Sequence, residues 1–206
     1  MLNIIFILLI SQLANAETWR LTIDDGPNKH TLAIAQRLKE LKCPATFFVC
    51  GSLYPYKDEL KWIVDNGFGI GNHSRSHKYD LMRKGGYPDI RSDLRYISDY
   101  VRTNFGVTPR EFRAPYGAYG NTVMNVMNEL KLLPSLWTSG IGDAEWAEPG
   151  DPRYDPEKIF EIACTVGRFP AAGRNVLLIH STRWELHNID ALVGVMRKHG
   201  EIVLEF

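Results

Sequence analysis

The sequence predicts an α/β fold in which a parallel sheet with helical crossovers closes towards a barrel. Strand-like segments alternate with segments of helical periodicity along 206 residues, about seven times, the order that parallel sheets with crossover helices require. The run Ala45–Val49 is apolar but for Thr46, as in strands covered on both faces. The length suits one domain with a sizeable core. Repetition at this number favours a barrel over an open sheet.

Trp19-Arg20-Leu21-Thr22-Ile23 alternates apolar and polar residues and reads as the first strand; Asp24-Asp25 follow, and Gly26-Pro27 breaks the chain. Beyond Pro27 the period becomes 3.6. Ile34, Leu38 and Leu41 share a helical face that Cys43-Pro44 ends. After the Ala45–Val49 strand, Leu60, Ile63 and Val64 mark a helix over 57–66 that stops at Gly67. Phe68-Gly69-Ile70-Gly71-Asn72 is a short strand whose glycines imply close backbone approach. Ile90, Leu94, Ile97 and Val101 predict a long helix over 88–104. Glu111-Phe112-Arg113 is strand-like, Val123, Val126, Met127 and Leu130 line the next helix, and 133–137 the next strand. Residues 138–155 form a polar, Gly- and Pro-rich loop, of the kind that in a compact domain is functional or disordered. Asp155-Pro156-Glu157 opens a helix with Ile159, Ile162, Ala163 and Val166 inward. Val176–Ile179 is a strand ending in His180. Ile189, Leu192, Val193 and Met196 mark the last helix, which ends in Arg197-Lys198-His199 and Gly200. Residues 201–206 read as a closing strand.

Lys plus Arg and Asp plus Glu both number 24, with no basic block. That argues against nucleic acid or an acidic membrane surface as partner. Residues 1–16 carry no charge; their apolar run from Ile4 to Ile10 is too short to span a bilayer, and Ala14-Asn15-Ala16 supplies small residues where a signal peptidase reads. The expectation is a signal peptide over 1–16, a mature domain over 17–206, export, and no membrane span. Cys43, Cys50 and Cys164 fit no zinc-ribbon spacing. Cys43 and Cys50 flank an extended strand that sets them roughly 23 Å apart, beyond disulfide reach. A bridge would have to involve Cys164; buried thiols are the simpler expectation.

Polar residues gather just after the strands: Asp24 and Asp25, His73 and His77, Arg113, Asp143 and Trp146, and His180. In a βα barrel these strand ends share one face, where active sites of that architecture are built. Two imidazoles four residues apart with one carboxylate make a His₂Asp set that leaves coordination positions open. A divalent ion there resolves the repulsion between Asp24 and Asp25, one ligating while the other stays free. Such an ion beside a free carboxylate equips a site for hydrolysis. His180 has the chemistry to protonate a departing amine. Arg113 can orient Asp24 through a bidentate pair, and the backbone N–H of Tyr116, in a Pro-Tyr-Gly turn, can face an oxyanion. The plainer alternatives are an Asp-rich turn, solvated histidines, a surface ion pair and a packed turn aromatic.

Thr22-Ile23-Asp24-Asp25-Gly26-Pro27, His73-Ser74-Arg75-Ser76-His77, Arg113-Ala114-Pro115-Tyr116 and Leu178-Ile179-His180 together resemble the NodB-type polysaccharide deacetylases, carbohydrate esterase family four. The resemblance implies a distorted (β/α)₇ barrel, a zinc ion with cobalt tolerated, and removal of N-acetyl groups from N-acetylglucosamine polymers such as chitin or peptidoglycan. It implies Asp24 as base, Asp25, His73 and His77 as ligands, Arg113 as the group orienting Asp24, Tyr116 lending its N–H, His180 as acid and Leu178 lining the acetyl pocket. One motif departs. Gly140 stands where the family has Asp, Asp143 fits the second Asp, Trp146 lies two residues late, and Ser181 replaces the Asp that often follows the last His. Asp143 remains available to support His180. The expectation is a monomeric, secreted metal-dependent N-deacetylase acting on a carbohydrate. An O-acetylxylan esterase or amino-sugar deformylase on the same site, and a catalytically silent carbohydrate-binding relative, are the competing readings.

Overall fold

A computed structural model of the chain describes residues 17–140 and 174–205. The signal-peptide segment, the helix expected after Asp155, Cys164, Asp143 and Trp146 lie outside the described residues.

The strands are β1 (Glu17–Gly26), β2 (Ala45–Val49), β3 (Gly69–Asn72), β4 (Glu111–Phe112), β5 (Leu133–Pro134), β6 (Ser139–Gly140), β7 (Arg174–His180) and β8 (Gly200–Ile202). The α-helices are α1 (Thr31–Glu40), α2 (Lys57–Asp65), α3 (Tyr79–Lys84), α4 (Tyr87–Phe105), α5 (Asn121–Leu130) and α6 (Arg183–His199). Every strand pairing is parallel, in the order β5-β4-β3-β2-β1-β7-β6. β1 is the hub. Thr18–Asp24 pair with β7 along one edge, while β8 takes Glu17–Trp19 and β2 takes Leu21–Gly26 along the other.

The sheet curls into a half-barrel, and a short connector bridges its two free edges. Ser135 N–H donates to the Phe112 carbonyl at 2.9 Å on the β4 side, and Thr138 N–H donates to Val176 at 3.0 Å on the β7 side. Residues 135–138 thus tie together edges that no ladder joins among the described residues.

Strand alternation sorts the interior from the core. Trp19, Leu21, Ile23, Phe47 and Val49 are buried with helix residues Ile34, Leu38, Leu60, Ile63, Leu192 and Met196, so the main core lies between sheet and helices. The intervening residues of β1 line the hollow of the half-barrel with charge. Arg20 makes a two-bond ion pair with Glu111 at 2.8 and 2.9 Å, and Thr22 and Asp24 both accept from Arg113. A second core gathers Met82, Phe112, Val123, Val126 and Met127. Helix α4 joins the two, giving Ile90 and Leu94 to the second core and Ile97 and Val101 to the first.

The close approach expected at the β3 glycines holds: a Cβ on Gly71 would lie 2.4 Å from the Phe48 ring, and one on Gly69 2.7 Å from Thr46 Oγ1. Two expectations are corrected. The strand read over 133–137 pairs only at Leu133–Pro134, because the chain leaves β4 there to cross to β7; it pairs again as β6 inside the segment read as loop. Residues 79–84, for which the sequence suggested no element, are helical. The closing strand ends at Ile202.

Candidate metal centre and active site

The C-terminal ends of β1, β3, β4 and β7 meet on one face. Neighbouring residues of a strand point to opposite faces, so Asp24 and Asp25 can share a site only if one leaves extended geometry. Asp25 does, with φ 64°. Their carboxylates then approach the same imidazole: His73 Nε2 lies 3.6 Å from Asp24 Oδ2 and 3.4 Å from Asp25 Oδ1, and His77 Nε2 lies 3.1 Å from Asp25 Oδ1. Left-handed backbone at a residue other than glycine is costly and collects at functional sites. Among the described residues six such positions occur, and Asp25, Ser74, His77 and Tyr116 are four of them.

One donor atom each from Asp25, His73 and His77 lies within 4.8 Å of the others. The outer contact of His73 shows what fits between them. Its Nδ1 lies 2.7 Å from the Arg113 carbonyl; a carbonyl only accepts, so Nδ1 carries a proton, and in the neutral ring Nε2 is the nitrogen with a lone pair to offer inward. Asp25 Oδ1 is buried without a hydrogen-bond donor. Converging lone pairs around an orphaned carboxylate oxygen are what a divalent cation requires. Burial pushes the Asp25 carboxyl up, but the adjacent imidazoles of His73 and His77 outweigh it and hold the group well below the carboxylate range. The Asp25 carboxylate beside it raises the His77 imidazole pKa against the opposing effect of burial.

The loop carrying the histidines has its backbone tied at every step. Asn72 Oδ1 accepts from Ser74 N–H, the Asp93 carboxylate accepts from Arg75 and Ser76 N–H, and Ser74 Oγ accepts from His77 N–H, at 2.9 to 3.0 Å. Asn72 is itself anchored, donating to the Leu94 carbonyl at 2.7 Å and to Ser98 at 3.0 Å.

Asp24 is set apart from this cluster by its partner. It is 2% exposed, and Arg113, fully buried, donates Nη1 to its Oδ1 at 2.8 Å. The expected bidentate pair is not formed. The guanidinium instead spreads over Thr22 Oγ1 at 2.9 Å and the Ser135 carbonyl at 3.3 Å, with its face 4.3 Å from the Phe48 ring centroid. Asp24 Oδ2 is left facing the His73 side.

His180 is the register partner of Asp24 across β1 and β7. The strand end below it is pinned: Ser181 N–H donates to the Asp24 carbonyl at 2.9 Å, and the buried Ser181 hydroxyl lies 2.7 Å from Thr31 Oγ1. Ser181 is therefore occupied with holding β7 to β1. Leu178, buried, is the register partner of both Thr22 and Gly140. A Cβ on Gly140 would find its nearest neighbour at 3.7 Å, so nothing steric demands glycine there. The Tyr116 ring is exposed and tilts against His77 at 5.0 Å and Tyr79 at 5.9 Å between centroids. Its N–H makes no backbone hydrogen bond among the described residues.

A family model described as polysaccharide deacetylase matches residues 12–134, a span that carries both aspartates, both loop histidines, Arg113 and Tyr116. The chain belongs to the polysaccharide deacetylase family. Among relatives in this family, the chitin deacetylase of Amylomyces rouxii is 32% identical over 137 residues, covering 65% of this chain and 32% of that protein. The peptidoglycan-N-acetylmuramic acid deacetylase PdaC of Bacillus subtilis is 33% identical over 136 residues, covering 65% and 28%. The chain thus spans about a third of the length of these two relatives. In solved structures, T48 deacetylase with substrate superposes with a TM-score of 0.76 at 28% identity, over 92% of this chain and 89% of that one. The half-barrel is the fold of this family, the distorted (β/α)₇ barrel.

Sequence reasoning missed Asp93. A charged residue on the buried stripe of α4, three residues after Ile90 and four before Ile97, was the signal that pointed to it.

Proposed function

We propose that this chain is a metal-dependent hydrolase that removes N-acetyl groups from amino-sugar polymers or oligomers of the chitin or peptidoglycan type. One observation carries the reading: a His₂Asp cluster stands beside a second buried carboxylate, Asp24, that belongs to Arg113 rather than to the cluster. Asp25, His73 and His77 hold one divalent ion, zinc by donor type, with cobalt as substitute. When bound, the ion supplies Lewis acidity at the amide carbonyl.

The remaining roles fall to this chain's own groups. Arg113 holds Oδ1 of Asp24, leaving Oδ2 to take a proton from the attacking water. The Tyr116 N–H faces the oxygen on which charge develops. His180, one strand over from Asp24, gives its proton to the amine as the C–N bond breaks, yielding acetate and a free amino sugar. Leu178 lines the recess for the acetyl methyl group. Asp143 supports His180, and Trp146 forms part of the groove wall. The domain is exported after removal of residues 1–16 and acts as a monomer.

The test is acetate release from acetylated chitin oligomers, with and without added zinc and after chelation. Zinc-restored release supports the proposal. Release from acetylxylan alone transfers the site to O-acetyl esters. Oligomer binding without release under any metal marks a silent relative.

A further inference from the structure

Asp93 takes no part in the chemistry above, yet it is a buried carboxylate, 8% exposed, on the core-facing stripe of α4. Its two oxygens accept from consecutive peptide N–H groups, Oδ2 from Arg75 and Oδ1 from Ser76, each at 3.0 Å. Successive N–H groups aimed at one anion form a backbone nest, a site built for negative charge. Here the anion belongs to the protein itself. The nest lies midway between His73 and His77, and the residues bracketing it, Ser74 and His77, have φ 69° and 51°. Left-handed backbone is costly at a residue other than glycine, so the loop needs an outside partner to hold that shape.

The two imidazoles depend on this partner unequally. His73 is fixed independently, through Nδ1 to the Arg113 carbonyl and through its N–H to Val49 at 2.9 Å. His77 is further along the loop and only partly buried, and its N–H reaches back to Ser74, inside the same loop.

We propose that Asp93 is a positioning residue for the metal centre: by filling the loop's nest it places His77, and through His77 alone it sets ion affinity. The proposal rests on the metal-site reading above. Outer-shell partners of metal ligands are worth about 10–100-fold in affinity, and Asp93 belongs in that range.

The experiment is a double-mutant cycle on zinc affinity, read by competition with a chromophoric chelator on the purified chain. Asp93→Ala is expected to weaken zinc binding about 10–100-fold in the wild-type background and less than about threefold beside His77→Ala, since groups acting through one another are not additive. Asp93→Asn, which keeps the shape and one acceptor oxygen, should fall between wild type and Asp93→Ala, and serves if Asp93→Ala does not fold. The cobalt-loaded Asp93→Ala protein should show the shifted d–d spectrum of a site short of one imidazole. Equal losses in both backgrounds, or wild-type affinity in Asp93→Asn and Asp93→Ala alike, overturn the proposal. Failure of the wild-type protein to bind zinc overturns the metal-site reading beneath it.

Discussion

Exchanging Asp24 for asparagine tests the proposed division between a base and the ion ligands, because the two carboxylates differ in partner. Asp24 Oδ1 is held by Arg113 at 2.8 Å, and Asp25 Oδ1 faces the imidazoles. Asp24→Asn keeps the shape and an oxygen for Arg113 but removes the proton acceptor. At 2.8 Å and an effective dielectric of 20, the lost charge pair is worth about 6 kcal/mol of gross attraction, most of it offset by the desolvation both groups already bear. Breaking a buried pair costs about 3–5 kcal/mol, and a retained hydrogen bond returns about 1. The variant should therefore lose about 2–4 kcal/mol of stability, read from its urea midpoint. Turnover should drop about 10²–10⁴-fold, the contribution of a positioned general base. The deciding assay is acetate release as zinc is raised to saturation. The Asp24→Asn deficit should persist at saturating zinc, whereas that of Asp25→Asn should shrink as zinc rises. If Asp24→Asn turns over within tenfold of wild type once saturated, the division of labour between the two aspartates is wrong.

Arg113→Met leaves Asp24 buried without its cation and should cost about 3–5 kcal/mol in chemical denaturation; a loss under 1 kcal/mol contradicts the pairing. Gly71→Ala drives a methyl into the Phe48 ring that stacks on Arg113, so about 1–3 kcal/mol should be lost together with activity, and an unchanged midpoint refutes the tight β2–β3 approach. Burial pushes the thiols of Cys43 and Cys50 up to about 12, with the charges of Asp25, Asp24 and Asp93 adding at Cys50. At pH 8 their thiolate fraction is then about 10⁻⁴. Peptide mass spectrometry after iodoacetamide treatment should find both nearly unlabelled under native conditions and fully labelled in urea. Protein recovered from the medium of an expressing culture should begin at Glu17; an intact Met1 or purely cellular protein excludes export.

The site was more legible than the scaffold around it. Asp24, Asp25 and His180 lie at the ends of β1 and β7, His73 and Arg113 directly follow β3 and β4, and His77 comes four residues after His73, so reading strand ends was enough to bring them to one face. The alternation Trp19, Leu21, Ile23 against Arg20, Thr22, Asp24 was equally visible, but not which side was core. That depends on helices covering the outer face, and it leaves the hollow to Arg20–Glu111 and Arg113–Asp24. Pairings two residues long, such as β5 and β6, leave no periodicity to detect, and α3 has one buried residue, Met82. The monodentate contact of Arg113 follows from the carbonyls and hydroxyl competing for its guanidinium, which lie on segments far apart in sequence. Asp93 looked like an exception to a helical stripe, and its purpose emerges only once the loop it anchors is placed.

The connector between the free sheet edges has a mechanical consequence. Residues 135–138 close the seam of the half-barrel, and Arg113 donates to a carbonyl within it, that of Ser135, while also holding Asp24. Widening the seam would draw on the same guanidinium that aims the carboxylate. The width of the cleft and the aim of Asp24 are therefore geared together, and a bulky occupant that pries the edges apart detunes the carboxylate without touching it.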